Sequence, residues 1–223
     1  MNGLRIVVFA KAPLPGQAKT RLIPALGPGA AAALAQRMLH ETLAQALAVD
    51  CASVELCASP APGSAAWADV DVVPAVCWTD QGEGDLGARM ARAAQRVTAA
   101  GDGVLLIGTD CPALDAALLQ LAAAALRSTE AVMAPSADGG YALLGLRRFH
   151  PSVFEEISWS TSTVAAVTRA RLAALGWNTH MFAEVHDIDE PADLCWLPDV
   201  WGDFSNRGTY ARELDDNEEA SKQ

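Results

Sequence analysis

The chain has 223 residues, of which 51% are hydrophobic, and its formal net charge at pH 7 is −11. This length suits one α/β domain with a substantial core, and the acidic balance argues against nucleic-acid binding, which needs a basic face. The five cysteines form no C-x-x-C pair and no apolar run reaches membrane-spanning length, so we expect a cytoplasmic protein without a disulfide framework, a structural zinc site or a membrane partner.

Blocks of residues typical of strands and helices alternate along the chain. The apolar run Leu4–Phe9 begins close to the amino terminus, with no signal-peptide pattern before it, and predicts a buried parallel strand. The other predicted elements, in chain order, are a helix over Gly29–Val49, strands over Ala52–Ala58 and near Val70–Cys77, a helix over Asp85–Ala100, a strand over Gly103–Ile107, a helix over Ala113–Leu126, strands over Ala131–Pro135 and Tyr141–Leu146, a helix over Thr163–Leu175, a strand over Asn178–Val185 and a short helix over Pro191–Leu197.

This alternation predicts a mostly parallel, doubly wound sheet in a three-layer α/β/α fold. No internal repeat or interdomain linker interrupts the pattern, so residues 1–201 are predicted to form a single domain. From residue 202 the sequence becomes polar and acidic and ends in DDNEEASKQ, which predicts a frayed tail over residues 202–223.

The loop after the first predicted strand carries three cations, Lys11, Lys19 and Arg21. Lysine is used selectively here, since the third and last lysine of the chain is Lys222. Ligands of α/β sheets bind beside loops at the carboxyl ends of strands, and a cationic loop there predicts an anion such as a nucleotide phosphate. The alternative is a solvated surface loop whose charges serve solubility.

Candidate acidic partners follow two later strands. Asp110 comes directly after Gly103–Ile107, and one carboxylate plus nucleotide phosphates is a common way to hold Mg²⁺. Asp187 and Asp189 alternate in an extended segment, so both are expected to point to one side, where a cation between them would offset their repulsion. As alternatives, Asp110 could be the N-cap or a turn residue of a helix that opens near Pro112, and Asp189 could cap the short helix that Pro191 begins.

Polar loops supply the remaining candidates. The glycine-rich segment Gln81–Gly87 opens a predicted helix and could approach a nucleotide base or ribose, although Asp85 could be a plain helix cap. The segment Asp138–Tyr141 could be a simple hairpin turn. The segment Trp159–Ser162 suits helix capping, and its amides and hydroxyls could equally hold a carboxylate or phosphate of an acceptor. Cys111 is predicted to be an inert buried thiol.

The chain resembles a bacterial family of glycosyltransferase-A-like transferases, described as radical-SAM- or selenodomain-associated, in six ordered segments. These segments are FAKAPLPGQAKTRL, QGEGDLGARM, LLIGTDCPAL, APSADGGYALLGL, the WST before a helix, and HDIDEPADL. The resemblance covers about residues 4–197 and implies the fold of the nucleotide-diphospho-sugar transferases. A more distant similarity connects the chain to 2-phospholactate/phosphoenolpyruvate guanylyltransferase and to molybdenum-cofactor guanylyltransferase.

The resemblance also implies roles for the matching residues. The three first-loop cations would neutralise triphosphate charge, the three aspartates would hold Mg²⁺ or Mn²⁺, and Gly140, Ser160 and Thr161 would line the acceptor pocket. Many such enzymes have Asp-x-Asp where this chain has the single carboxylate of Asp110, which leaves open whether one metal binds or two.

The resulting prediction is a metal-dependent transferase that carries a nucleotidyl group from an NTP to a small anionic acceptor and releases pyrophosphate. Glycosyl transfer from an NDP-sugar and non-catalytic nucleotide binding are the alternatives, and the sequence does not indicate the oligomeric state. The predicted site comprises the catalytic residues Lys11, Lys19, Arg21 and Asp110; the nucleotide-binding residues Ala10, Lys11, Gly16, Lys19, Arg21, Gln81, Gly84, Asp85, Leu86, Gly87 and Thr109; the acceptor-binding residues Asp138, Gly139, Gly140, Tyr141, Trp159, Ser160 and Thr161; and the metal ligands Asp110, Asp187 and Asp189.

Overall fold

A computed structural model describes residues 3–50 and 52–202, and its centre is one sheet of seven strands. The strands are β1 (Leu4–Lys11), β2 (Ala52–Ser59), β3 (Cys77–Asp80), β4 (Gly103–Ile107), β5 (Ala131–Pro135), β6 (Tyr141–Leu146) and β7 (Thr179–Met181). Their order across the sheet is β3-β2-β1-β4-β6-β5-β7. All neighbouring pairs are parallel except the two pairs that β6 makes with β4 and β5. The predicted mostly parallel sheet is therefore confirmed.

Helices cover both faces of the sheet and complete the predicted three-layer fold. The α-helices are α1 (Ile23–Leu26), α2 (Pro28–Leu47), α3 (Leu86–Ala99), α4 (Ala116–Ala125) and α5 (Val164–Ala174), and short 3₁₀ turns lie at Thr20–Leu22, Ala65–Trp67, Pro151–Val153, Pro191–Trp196 and Asp199–Trp201. One core joins the sheet to α2 and α4, and a second core joins the opposite face to α3 and α5. Both faces of β1 are thus buried, with Ile6 and Val8 in the first core and Val7 in the second. This burial explains the unbroken apolar run from which the strand was predicted.

The reversed strand β6 brings an additional turn to the carboxyl edge of the parallel strands. It pairs antiparallel with β4, where Leu143 faces Ile107, and with β5. The turn between β5 and β6 lies at the same edge as the loops after β1 and β4, because β5 ends there and β6 begins there. The predicted hairpin turn over Asp138–Tyr141 is confirmed, and it also contributes to the site described below.

The structure moves several element boundaries. The third strand begins at Cys77, where the predicted strand ended, because Pro74 has no N–H to donate and Val73 and Val76 close a turn. Helix α4 begins at Ala116 rather than Ala113, since Asp115 caps its first turn. Strand β7 ends at Met181, and beyond it an isolated bridge between Ser136 and Val185 continues the pairing.

The carboxyl-terminal part of the described chain packs on the first helices. Leu194 and Trp201 lie in a third apolar cluster with Leu22, Met38 and Ile188. Within residues 3–50 and 52–202, none of the helices combines the length and the apolar character that crossing a membrane would require. Apart from Gly202, the predicted tail lies outside the described residues.

Candidate active site

A cavity of about 730 Å³ opens at the edge of the sheet where the parallel strands end. Its walls come from the end of β1 and the loop after it, the segments after β3 and β4, the turn between β5 and β6, the segment before α5 and the segment after Val185, with a few residues of α2 and α3. A volume of this size suits a small-molecule ligand, and the carboxyl edge of an α/β sheet is where such ligands bind. The cavity is therefore the candidate active site.

Two of the three predicted cations stand at the cavity without a close carboxylate partner. Lys11 is exposed in the wall and forms no ion pair within the described residues. Arg21 has one loose ion pair with Glu190 at 3.8 Å, and both side chains are about two-thirds exposed. Such an exposed pair contributes little energy, so both cations are available to a polyanion in the cavity.

Lys19, the third cation, is buried and bound to two of the predicted metal ligands. Its Nζ donates to Oδ1 of Asp110 at 2.5 Å, to Oδ1 of Asp189 at 2.9 Å and to the carbonyl oxygen of Ile188 at 2.7 Å. Burial by itself lowers the pKa of Lys19, but the carboxylates of Asp110 and Asp189 outweigh burial and raise it. The ammonium therefore remains charged at neutral pH and joins the loop after β1 to the segments after β4 and β7.

Asp187 lies in the same cavity wall and faces other carboxylates. Partial burial raises its pKa, and the nearby charges of Asp138 and, to a smaller extent, Asp189 raise it further. No ion pair to Asp187 is present in the described part of the chain. A cation bound beside Asp187 and Asp138 would relieve this repulsion.

The protein's oxygen atoms fit a divalent cation. Among residues 3–50 and 52–202, no three histidine, cysteine or acidic side chains form a ready-made metal cage. Two carboxylate oxygens and one carbonyl oxygen nevertheless converge on the Lys19 ammonium, and hard cations such as Mg²⁺ prefer this class of ligand. Mg²⁺ usually takes one or two protein carboxylates and completes its octahedron with phosphates and water, so this partial set is compatible with it.

The predicted nucleotide loop is held in place by arginines of α3. Arg92 donates to the carbonyl oxygens of Gln81 and Glu83, at 2.7 Å in the second case, and Arg89 donates to the carbonyl oxygen of Gly84 at 2.9 Å. The Gln81 side chain is 5% exposed; its amide nitrogen donates to backbone carbonyls of β1 and β2, and its oxygen accepts from Arg89. Gln81 therefore shapes the loop, and each of its side-chain polar atoms has a partner within the protein.

The predicted acceptor wall is tied to the nucleotide loop through an aromatic contact. The Trp159 indole lies against Gly87 of α3, where a Cβ would overlap its ring. The Tyr141 hydroxyl contacts the sulfur of Met90 at 3.9 Å, and burial raises the pKa of this phenol. In the turn before β6, Oδ1 of Asp138 accepts from the Gly140 amide at 2.8 Å. These contacts join the wall to α3 and fix the turn at its base.

The structure tests the capping roles that the sequence left open for the aspartates. Asp85 is the N-cap of α3 and accepts from the Ala88 amide at 2.8 Å, so the capping role is confirmed although the residue also lines the cavity. Asp110 is not a helix cap, because Asp115 caps α4. Asp189 is not one either, because Glu190 occupies the N-cap position of the following 3₁₀ turn.

Most of the predicted site residues line this one cavity, but three glycines do not. Gly16, Gly87 and Gly139 lie outside the lining, and Gly87 and Gly139 instead let Trp159 and Ser162 approach closely. The predicted residues in the lining are Ala10, Lys11, Lys19, Arg21, Gln81, Gly84, Asp85, Leu86, Thr109, Asp110, Asp138, Gly140, Tyr141, Trp159, Ser160, Thr161, Asp187 and Asp189.

Several further polar groups of the cavity were not predicted. They include the side chains of Gln17, Thr20 and Ser136 in the lining and, just behind it, the buried Ile188 carbonyl that binds Lys19. Ser136 is buried and donates to Oδ1 of Asp138 at 2.5 Å. Position could have indicated Ser136, since it directly follows β5 at the carboxyl edge; no pattern in the sequence indicates a carbonyl that binds a distant lysine.

Comparisons with known proteins identify the family and the fold. A family described as uncharacterized proteins conserved in bacteria (DUF2064) matches residues 42–161. A candidate nucleotide-diphospho-sugar transferase from Desulfovibrio desulfuricans G20 shares 31% sequence identity with the chain and has a TM-score of 0.79; the match covers 87% of this chain and 85% of that one. No curated protein sequence matches the chain.

More distant solved structures share the fold. A CMP:2-keto-3-deoxy-manno-octonic acid synthetase in complex with CTP has a TM-score of 0.55 at 15% identity, covering 95% of this chain and 99% of that one. A cytidylyltransferase from Leptospira borgpetersenii serovar Hardjo-bovis (strain JB197) has a TM-score of 0.51 at 15% identity, covering 99% and 96% of the two chains. At this identity the likeness concerns the fold alone.

Proposed function

The chain belongs to the DUF2064 family and has the fold of the nucleotide-diphospho-sugar transferases, and from this premise we propose that it is a transferase that uses a nucleotide-activated donor. The observation that carries the proposal is the charge arrangement in one cavity. The available cations Lys11 and Arg21 face the same space as the carboxylates of Asp110, Asp187 and Asp189. A protein with a net charge of −11 needs local cations or a bridging metal to hold a polyphosphate.

Nucleotidyl transfer from an NTP is the reaction that we propose first. An acceptor oxygen would attack the α-phosphorus, and pyrophosphate would leave with the electron pair of the broken P–O bond. Such a reaction depends on positioning and charge neutralisation more than on covalent help from the protein. Lys11 and Arg21 would orient the phosphates, while the loop braced by Arg89 and Arg92 would hold the nucleoside.

The carboxylates of Asp110, Asp187 and Asp189 would hold Mg²⁺ or Mn²⁺ together with the phosphates. When bound, the ion would supply positive charge to the oxygens on which negative charge develops. The two carboxylates at the acceptor end, Asp138 and Asp187, would repel the predicted anionic acceptor in the absence of such an ion. An anionic acceptor is therefore expected to bind only to the protein loaded with metal.

Glycosyl transfer from an NDP-sugar is the second candidate. It is favoured by the 31% identity to a candidate nucleotide-diphospho-sugar transferase over most of both chains. The same cavity would serve, but the bond broken would lie between the sugar carbon and the diphosphate, which would leave as an NDP. The acceptor wall of Tyr141 and Trp159 would then contact the sugar.

A product assay separates the two reactions. The purified protein is incubated with Mg²⁺, each NTP in turn and a panel of small phosphate, carboxylate and hydroxyl acceptors, and pyrophosphate is measured. A parallel series replaces the NTP with NDP-sugars and measures NDP. We expect the wild type to release pyrophosphate. Lys11→Ala and Asp110→Ala should each lower the rate by about a hundred- to a thousandfold.

Glu155→Gln, a change at an exposed glutamate away from the cavity, is the control and should keep full activity. Release of NDP without pyrophosphate would reject nucleotidyl transfer in favour of glycosyl transfer. Nucleotide binding by calorimetry without any turnover in either series would reject both and support non-catalytic nucleotide binding.

A further inference from the structure

The Lys19 ammonium has no donor left for a ligand. Its three N–H groups are matched by three oxygen atoms at 2.5, 2.7 and 2.9 Å, and the side chain is only 9% exposed. A lysine in this position cannot also donate to a phosphate. The predicted role of Lys19 in neutralising triphosphate charge therefore requires it to leave these oxygens.

The three oxygens form a better set of ligands for a metal than for a lysine. They are two carboxylate oxygens, from Asp110 and Asp189, and the carbonyl oxygen of Ile188. Hard divalent cations take this kind of set, at about 2.0–2.1 Å for Mg²⁺. The ammonium thus occupies the position that a divalent cation would take, with the single positive charge of the Lys19 side chain in place of the metal.

A divalent cation and the ammonium cannot share this position. Both would contact the same oxygen atoms, which would place two positive charges within a few ångströms of each other. The outer oxygens of Asp110 and Asp189 remain partly exposed, since these side chains are 51% and 41% exposed. An ion that approaches them from the cavity meets the repulsion of Lys19 until that side chain moves.

The backbone of Lys19 is compatible with such a movement. Its φ of 47° and ψ of 48° lie in the left-handed region, which a non-glycine residue adopts at some energetic disadvantage. No side-chain cap holds the 3₁₀ turn that it precedes. Among the described residues, the polar interactions that hold this side chain in place are therefore the three contacts of its ammonium.

We propose that Lys19 and a divalent cation compete for the oxygens of Asp110, Asp189 and Ile188, so that metal binds there when the phosphates of a donor draw the ammonium away. This inference rests on the proposed function, because it assigns the phosphates to the same cavity. It makes Lys19 a device that couples metal binding to donor binding. The free protein then binds metal weakly, and the donor and the metal bind together.

The test measures Mn²⁺ binding without any donor. Free Mn²⁺ is followed by electron paramagnetic resonance during titration of the wild-type protein, Lys19→Met and Lys11→Met. Lys11→Met is the matched control, because it removes one lysine charge from the same cavity without freeing the three oxygens. We expect Lys19→Met to bind Mn²⁺ about tenfold to a hundredfold more tightly than the wild type, and Lys11→Met to differ from the wild type by less than about threefold.

A double variant tests whether the gain in Mn²⁺ affinity depends on these three oxygens. Adding Asp189→Asn to Lys19→Met should return Mn²⁺ affinity to the wild-type range, because one of the three oxygens then loses its charge. Thermal unfolding provides an independent measurement: Mn²⁺ should raise the Tm of Lys19→Met more than that of the wild type. An equal or lower Mn²⁺ affinity in folded Lys19→Met, or an equal gain in Lys11→Met, would overturn the competition.

If Lys19→Met does not fold, the wild type still decides the matter. Its Lys19 amine should become more reactive towards acetic anhydride, measured by peptide mass spectrometry, when Mn²⁺ and an NTP are added together than with either alone. Unchanged reactivity would contradict the proposal. Failure of the proposed function is distinguishable, since it would show as an absence of turnover with every donor while the metal competition in the free protein persists.

Discussion

Glu55 offers a test of how α3 is held beneath the nucleotide loop, and the test needs no substrate. Its carboxylate is fully buried in β2 and accepts from both terminal nitrogens of Arg96 on α3, from Thr79 at 2.7 Å and from Arg5 at 3.4 Å. Burial by itself raises the pKa of Glu55, but the hydrogen bonds from Arg96 and Thr79 outweigh it and lower the pKa. We predict that Glu55→Gln destabilises the fold.

The expected loss is about 2–3 kcal/mol of unfolding free energy. Hydrogen bonds to a charged group contribute about 1.5–3 kcal/mol each, and breaking a buried ion pair costs about 3–5 kcal/mol. The Arg96 side chain is 41% exposed and can be partly rehydrated, so the expected loss lies below the full cost of a buried pair and within the range for a hydrogen bond to a charged group. The glutamine amide also presents N–H groups to the guanidinium, and two donors cannot pair.

Urea unfolding followed by circular dichroism at pH 7 measures this loss, and Glu155→Gln at an exposed position is the control. Because the folded-state pKa of Glu55 is lowered, its stabilisation is present above the ordinary value of 4.5 and is lost as the pH falls through the folded-state value. The difference between wild type and Glu55→Gln should therefore shrink below about pH 4.5. A loss under about 0.5 kcal/mol at pH 7, or a loss independent of pH, would refute this account of the network.

Three further predictions concern single positions. Gly139→Ala should lower the free energy of unfolding by about 3 kcal/mol, because the added Cβ would overlap a backbone carbonyl. Gly63→Ala, also at positive φ but with open space around it, should lower it by about 1 kcal/mol. Equal losses in urea unfolding would contradict the steric argument. Arg92→Ala should weaken nucleotide binding about tenfold, as measured by calorimetry, because the ligand must then order the loop over residues 81–87. Unchanged affinity would show that the contacts of Arg92 are dispensable. Burial raises the pKa of Cys111 to about 11. At pH 8 a disulfide reagent should therefore modify the exposed Cys77 quickly, and Cys111 only after the protein unfolds. Rapid modification of Cys111 in the folded protein would refute its burial.

The sequence predicts the central strands of the sheet well, but it predicts neither the bounds of the edge strand β3 nor the antiparallel direction of β6. Central strands such as β1 and β4 are buried on both faces, so their apolar runs are unambiguous. β3 is a short edge strand with partly exposed residues, and its apolar neighbours around Val73 form a turn instead. The direction of β6 depends on its pairing with β4, and no local pattern encodes that pairing.

For the candidate site, too, the sequence predicts one part and not another: the position of the residues, but not their contacts. Which residues gather at the carboxyl edge could be predicted, because charged residues directly after buried strands must lie there. What each residue contacts could not be predicted. Lys19 binds Asp110 and Asp189, which lie 91 and 170 residues further along the chain, and Gln81 turns inward to strand carbonyls. Such contacts depend on the relative placement of loops that are distant in sequence.

The reversed strand β6 has a consequence for how this architecture can diversify. It brings the turn before Tyr141 to the wall proposed for the acceptor, which also includes Trp159, Ser160 and Thr161, whereas the cationic loop comes from residues 10–21. The two regions are encoded more than a hundred positions apart and meet only in the folded molecule. Mutation can therefore reshape one half of the binding space while the other half keeps its chemistry, so new acceptors can be sampled on a constant phosphate-handling framework.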